Sequence, residues 1–303
     1  MNSSRGISVS LARIALAAAL AASAGLLGAG PAAASTRSIS PYAETVAALG
    51  PNDAYVALYN EGQGGWTEVG GPAAAIYLGA PGLFEMGTGG DILQYSGTPG
   101  DWTTIGGPGS QFVTGGQYLY GLGIDYDYVA VWNGSGQGWT EIGGPSDGIA
   151  AGGAGLVAMA PGYTAVDLYN GTPGSWTQIG GASQASGALA VSDTAIYAVT
   201  STGVVEQWTG SGQAWTVIGS GADSIYAGGD GVYITVGSAQ NIEQYSGTPG
   251  DWTVIGGYGR QFAVSRTALY GLGPNQNYVA EWNGPGQGWT EIGGPADWIA
   301  AGG

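Results

Sequence analysis

Seven aromatic residues recur in this chain beside a small polar one: Tyr59, Tyr95, Trp132, Tyr169, Trp208, Tyr245 and Trp282. Each is followed by Asn, Ser or Thr and then by Gly, except that Glu61 stands where the first copy would have its Gly. An aromatic plate beside a small hydrogen-bonding side chain can stack on a sugar ring and hold its hydroxyls. The same residues can also serve as core filling, and both readings stay open. Other chemistry is scarce. The chain has no Cys, no His and no Lys, which removes most nucleophile–base pairs and imidazole metal sites. Carboxylate pairs of the glycosidase kind are still available. The IDYDYV run places Asp125 and Asp127 at a spacing that suits calcium, but the equivalent stretch 150 residues later reads PNQNY. Neither a metal nor a cofactor is expected.

The elements that position these aromatics belong to a repeat. Trp66, Trp102, Trp139, Trp176, Trp215, Trp252 and Trp289 lie in near-copies of GTPGDWTVIGG, at steps of 36, 37, 37, 39, 37 and 37 residues. One period sustained over seven copies is the mark of a repeat architecture. Each unit reads as four short strands with glycine punctuation, as in SDGIAAGG, GLVAMAP, TAVDLYNG and SWTQIGG. Segments of this length bounded by GG, PG and GTPG suit an antiparallel meander. Helix is excluded by the glycine density and by the lack of a 3.6-residue period.

The third strand of each unit locates the core. It reads VALYN, ILQYS, VAVWN, VDLYN, VEQWT, IEQYS and VAEWN, with Val or Ile first and Tyr or Trp fourth. Three residues apart on a strand means opposite faces, so both faces of every sheet carry an apolar anchor and must be covered. Sheets stacked around a ring meet that demand, and the small residues of the first strands (IAAGG, IYAGG, FVTGG) suit a crowded inner rim. The expected fold is an all-β, seven-bladed β-propeller, with a linear β-solenoid as its rival. The chain ends favour the ring. ETVAALG, AYVALYN and GWTEVGG near the start match second, third and fourth strands, and ADWIAAGG at the end matches a first strand. Residues 44–70 and 296–303 are therefore expected to build one closing blade.

Within this frame GTPG supplies the turn before the outermost strand, and the Trp that follows is expected to plug the space between blades. A second period of 150 residues relates the segment from 100 to that from 250. Duplication accounts for it.

Residues 1–34 show two arginines, a short apolar run and an Ala-x-Ala site, the plan of a cleaved secretory signal peptide. The expected organisation is a signal peptide over 1–34, a flexible segment over 35–43 and one propeller over 44–303, released in soluble form outside the cell. After cleavage three arginines face 21 carboxylates, a net charge of −18. Such a surface repels phosphate backbones and anionic membranes, so neither nucleic acid nor membrane insertion is expected. Without cysteine, export brings no disulfides and packing alone must hold the fold.

The unit AWTVIGSGADSIYAGGDGVYITVGSAQNIEQYSG, with Trp215, Ile218, Gly219, Ile225, the GGDGVY run at 228–233 and Tyr245, resembles the tectonin repeat of tachylectin-type propeller lectins. The resemblance extends over all seven units and is clearest here and in the fourth. It implies a propeller fold and a secreted protein that binds sugars or microbial surface glycans. The YSGTPGDWT turn also resembles the aspartate box of sialidases in its place. It lacks the Asp inside the turn, and the three arginines of a sialidase site have no counterpart, so no enzyme activity is expected. The expected function is therefore multivalent, metal-free glycan binding through the seven aromatics named first. The alternative is a secreted protein-interaction scaffold or inhibitor, and behind that a propeller glycosidase.

Overall fold

The Val or Ile that opens each third-strand motif is buried: Val56, Ile92, Val129, Val166, Val205, Ile242 and Val279 are at most 1 % exposed. The computed structural model, which describes residues 40–302, shows why. The chain forms seven four-stranded antiparallel sheets, and each packs on the next around a closed ring. We number these blades one to seven along the chain. Blade one is discontinuous. Its inner strand is Trp298–Ala301, followed outward by Val46–Leu49, Val56–Asn60 and Gly65–Gly70. Blades two to seven begin at inner strands Ala73–Gly79, Gly109–Gly115, Gly148–Gly152, Ala188–Val191, Ala222–Ala227 and Gln261–Val264. The expected seven-bladed propeller is what the structure shows. The signal peptide expected over 1–34, and residues 35–39 of the segment after it, lie outside the described residues. Pro41–Ala43 form one 3₁₀ turn, and the Ala43 carbonyl accepts the Arg266 N–H. No helix among the described residues is long and apolar enough to cross a membrane.

Closure uses three kinds of bond. Val46 pairs with Ala301 and Leu49 with Trp298 in an antiparallel ladder. The Gln261 side chain of blade seven donates to the Ile299 carbonyl at 2.8 Å and accepts the Ile299 N–H at 2.9 Å. The Trp66 indole N–H donates to the Ile292 carbonyl of blade seven at 2.7 Å. Around these bonds Tyr270 and Leu272 of blade seven pack with Val46, Ala48 and Ile299 of blade one.

The Trp66 bond is one of seven. Every fourth-strand indole donates at 2.7–2.8 Å to an Ile or Val carbonyl in the outer strand of the preceding blade. That carbonyl is free because each outer strand bulges there. In blade three, for example, Val129 pairs with Gly143 and Ala130 with Glu141, which leaves Ile142 outside the ladder. An unpaired residue bends its strand and turns its carbonyl out, and here the Trp176 indole takes it up at 2.8 Å. Gly143 must follow, because a Cβ on it would lie 2.9 Å from the same indole. The WTxIGG motif is thus a lock: Trp binds backward to the previous blade, while Ile and Gly receive the next Trp.

Candidate functional site

Spaces open between blades where paired residues on the second and third strands are small. Those pairs are Gly121 with Ala130 in blade three and Gly271 with Ala280 in blade seven. Ala158 pairs with Asp167 in blade four, and Ala48 with Ala57 in blade one. At each of these places a cleft lies against the preceding blade, of about 310 Å³ in blade three, 300 Å³ in blade seven, 230 Å³ in blade four and 310 Å³ in blade one. The other blades carry bulk at the same pair: Glu85 and Leu93, Ala198 and Glu206, Ile234 and Glu243. In blade five the 39-residue unit adds a one-turn helix, Ala182–Ala185, whose Gln184 donates to the Glu206 carboxylate at 2.7 Å.

The four clefts sit at the same end of their strands, where the connection from the preceding blade arrives, and so on one face of the ring. A fourth-strand Trp lines each: Trp139, Trp289, Trp176 and Trp66. Its N–H is already spent on the neighbouring blade, which fixes the ring and leaves aromatic surface. The clefts of blades three and seven are near-copies, with Phe112 and Tyr128 in one and Phe262 and Tyr278 in the other. Tyr258 replaces Pro108 at the rim. The other two clefts differ by a carboxylate. Asp167 lines that of blade four, its carboxyl held above the ordinary range by burial, and Glu68 lines that of blade one. Exposed Tyr126, Tyr163 and Trp298 stand on the same face.

The seven third-strand aromatics expected to bind ligand are placed differently. Each lies directly across the ladder from a fourth-strand Trp, as Tyr59 from Trp66 and Tyr245 from Trp252. Tyr59, Tyr95, Tyr169, Tyr245 and Trp282 make tilted ring contacts with that partner at 4.9–5.7 Å. Trp132 packs edge-on to Phe84, and Trp208 donates to the carbonyl of Gly212 in its own hairpin. None of the seven lines any of the four clefts; Tyr59 and Tyr95 share a cavity on the opposite face. The aromatics that do line clefts include the fourth-strand Trp residues, which the sequence reading assigned to packing; they do both. Among the described residues, no group of three or more His, Cys, Asp or Glu is arranged to hold a metal.

The chain matches no protein-family model and no curated protein sequence. It is similar in structure to YCF48 bound to D1 peptide, at 13% identity and a TM-score of 0.51, covering 76% of this chain and 91% of that one. It is also similar to apo AztD from Citrobacter koseri, at 11% identity and a TM-score of 0.52, covering 85% and 96%. At such identities the likeness is one of fold alone.

Proposed function

We propose that the protein is a secreted, non-catalytic, multivalent carbohydrate-binding protein whose sites are the clefts of blades one, three, four and seven. The observation that carries this reading is the repetition of one cleft type on one face, each lined by an immobilised indole. Volumes of about 230–310 Å³ lie at or just below the low end for small-molecule sites, which suits one sugar residue rather than a long chain. An aromatic wall with phenol, carboxylate and backbone groups beside it offers the mixture a pyranose requires. The carboxylates and the net negative charge favour neutral or amino sugars over anionic ones.

Single sites of this kind are shallow, so free monosaccharides should bind weakly. Immobilised glycans should be held far more tightly through effective concentration, without a new contact. Calorimetry with free sugars, followed by binding to neutral, amino and anionic glycan surfaces with and without EDTA, tests the proposal. Graded avidity that ignores EDTA supports it. Binding of one partner protein per ring, with no response on any glycan surface, would favour the scaffold reading, for which exposed Ile124, Tyr126 and Tyr163 on the cleft face speak.

A further inference from the structure

Ring closure shapes a cavity at the seam of blades one and two. In blades two to seven the inner strand connects directly to the second strand. In blade one the inner strand comes from the C-terminus, so the second strand is entered by the incoming chain at 40–45. That segment is pinned in place. Thr45 Oγ1 donates to the Tyr59 carbonyl at 2.7 Å, the Gly302 N–H reaches the Thr45 carbonyl at 3.2 Å, and Arg266 N–H donates to the Ala43 carbonyl at 2.9 Å. Between it and the outer hairpins of blades one and two lies a cavity of about 570 Å³, on the face opposite the four clefts.

Three tyrosines, Tyr42, Tyr59 and Tyr95, and two carboxylates, Glu44 and Glu61, line this space, and no basic residue does. Tyr59 and Tyr95 are held by ring contacts to Trp66 and Trp102 at 5.3 and 5.2 Å. Burial, then the charges of Glu281 and Glu61, raise the Tyr59 phenol, so the electrostatic field at this ring is negative. The Arg266 side chain leans over Gly229 of blade six instead.

Glu61 is the departure from the repeat. The six equivalent residues are glycines at φ of +82° to +101°, among them Gly97 and Gly134, a conformation that a glutamate side chain strains. The blade-one hairpin is rebuilt to admit it. Gln63 N–H donates to the Asn60 carbonyl and Gly64 N–H to the Glu61 carbonyl, and Glu61 itself has no positive φ. Fully buried Tyr270 then donates to Glu61 Oε1 at 3.2 Å. A carboxylate has thus been set in a hairpin whose copies do without one, and a buried phenol steadies it.

We infer that the cavity at the closure seam binds an organic ammonium group, with the tyrosines as its aromatic walls and Glu61 and Glu44 as its counter-charges. Aromatic faces attract cations electrostatically, and removal from water strengthens the attraction. A metal ion fits less well, since no group of three acidic side chains is arranged to hold one among the described residues. The inference does not rest on the carbohydrate reading, because the cavity and the clefts lie on opposite faces.

The test is titration of the full-length protein, by calorimetry and tyrosine NMR, with choline, with Nα-acetyl-lysinamide and with 3,3-dimethylbutan-1-ol, the neutral isostere of choline. The first two separate a quaternary headgroup from a peptide side chain as the source of the ammonium. One cation should saturate a single site per chain, the isostere should not compete, and Glu61→Gln should weaken binding about tenfold at an unchanged melting temperature. Glu44→Gln, which keeps the backbone bonds of that segment, should weaken it further. No saturable cation binding, equal binding of the neutral isostere, or affinity indifferent to both substitutions would overturn the inference.

Discussion

The Trp66 indole N–H donates to the Ile292 carbonyl at 2.7 Å, although 226 residues separate the two in sequence. The same bond joins every other neighbouring pair of blades over a separation of 33 to 36 residues. The closing bond is thus no different in kind from the rest, and the ring has no weak joint in its outer strands. On the inner side closure depends on the C-terminal strand, which gives the first prediction. Deleting residues 296–303 strips the Val46–Leu49 strand of its partner and removes Ile299 from the core. Losing that side chain alone costs about 1.5–3 kcal/mol, before the exposed sheet edge is counted. Chemical denaturation of the truncated protein should show a large loss of stability, and a midpoint equal to that of the full chain contradicts a closed ring.

Gln261 allows a finer test of the same seam. Its amide satisfies both the N–H and the carbonyl of buried Ile299, so Gln261→Ala leaves those two backbone groups without that partner. The expected cost is about 1–3 kcal/mol. The equivalent Gln111, which bonds Ile149 in the same way at 2.8 and 2.9 Å, should cost a similar amount. A large loss at Gln261 with none at Gln111 would mean that closure carries strain the other joints lack.

The lock itself can be split into its parts. Trp176→Phe keeps an aromatic ring but loses the bond to Ile142, for about 0.5–1.5 kcal/mol. Trp176→Ala also opens the space, for about 3–5 kcal/mol. Denaturation midpoints of the two variants check the order. Equal losses would assign the whole effect to the hydrogen bond.

Glu85 gives a pH signature. It sits at the position taken by Gly121 in blade three, is 7% exposed, and its Oε2 has no hydrogen-bond partner. Burial raises its carboxyl from the ordinary 4.5 to about 7. A raised folded-state value means that the folded chain holds the proton more tightly than the unfolded one. Its contribution to stability is therefore full below about pH 4.5 and is lost as pH rises through about 7. Glu85→Gln should melt like the parent near pH 4.5 and be more stable by about 1–3 kcal/mol at pH 8. A gain that does not change between the two pH values contradicts this.

Much of the fold was legible because packing repeats: the period of Trp66 to Trp289 gave the blade count, and ADWIAAGG gave the closure. The bulge at Ile142 was not legible, since a bulge exists only relative to the strand beside it, and no residue type in WTEIGG marks it. The third-strand aromatics were readable as plates, but their pairing across the ladder with the fourth-strand Trp was not drawn from the pattern. Trp132 spends its face on Phe84 inside the protein and is 7% exposed. The clefts left a signal that was present and unread. Aligned units show Ala57, Leu93, Ala130, Asp167, Glu206, Glu243 and Ala280 at one position, and only the structure tells that this position faces a gap. Glu61 was visible as the odd member of its column, whereas the cavity beside it depends on chain closure.

That variable position also supplies the most direct measurement of the central claim, that the inter-blade clefts are where glycan binds. Blade two carries Leu93 where blades three and seven carry Ala130 and Ala280, so the fold already accommodates a leucine there. The double variant Ala130→Leu and Ala280→Leu should fill both clefts and melt within a few degrees of the parent. Its retention on an immobilised glycan surface should fall by at least about tenfold, because two of four linked sites are lost. Unchanged retention by a folded double variant would contradict the claim and move the binding site elsewhere on the ring.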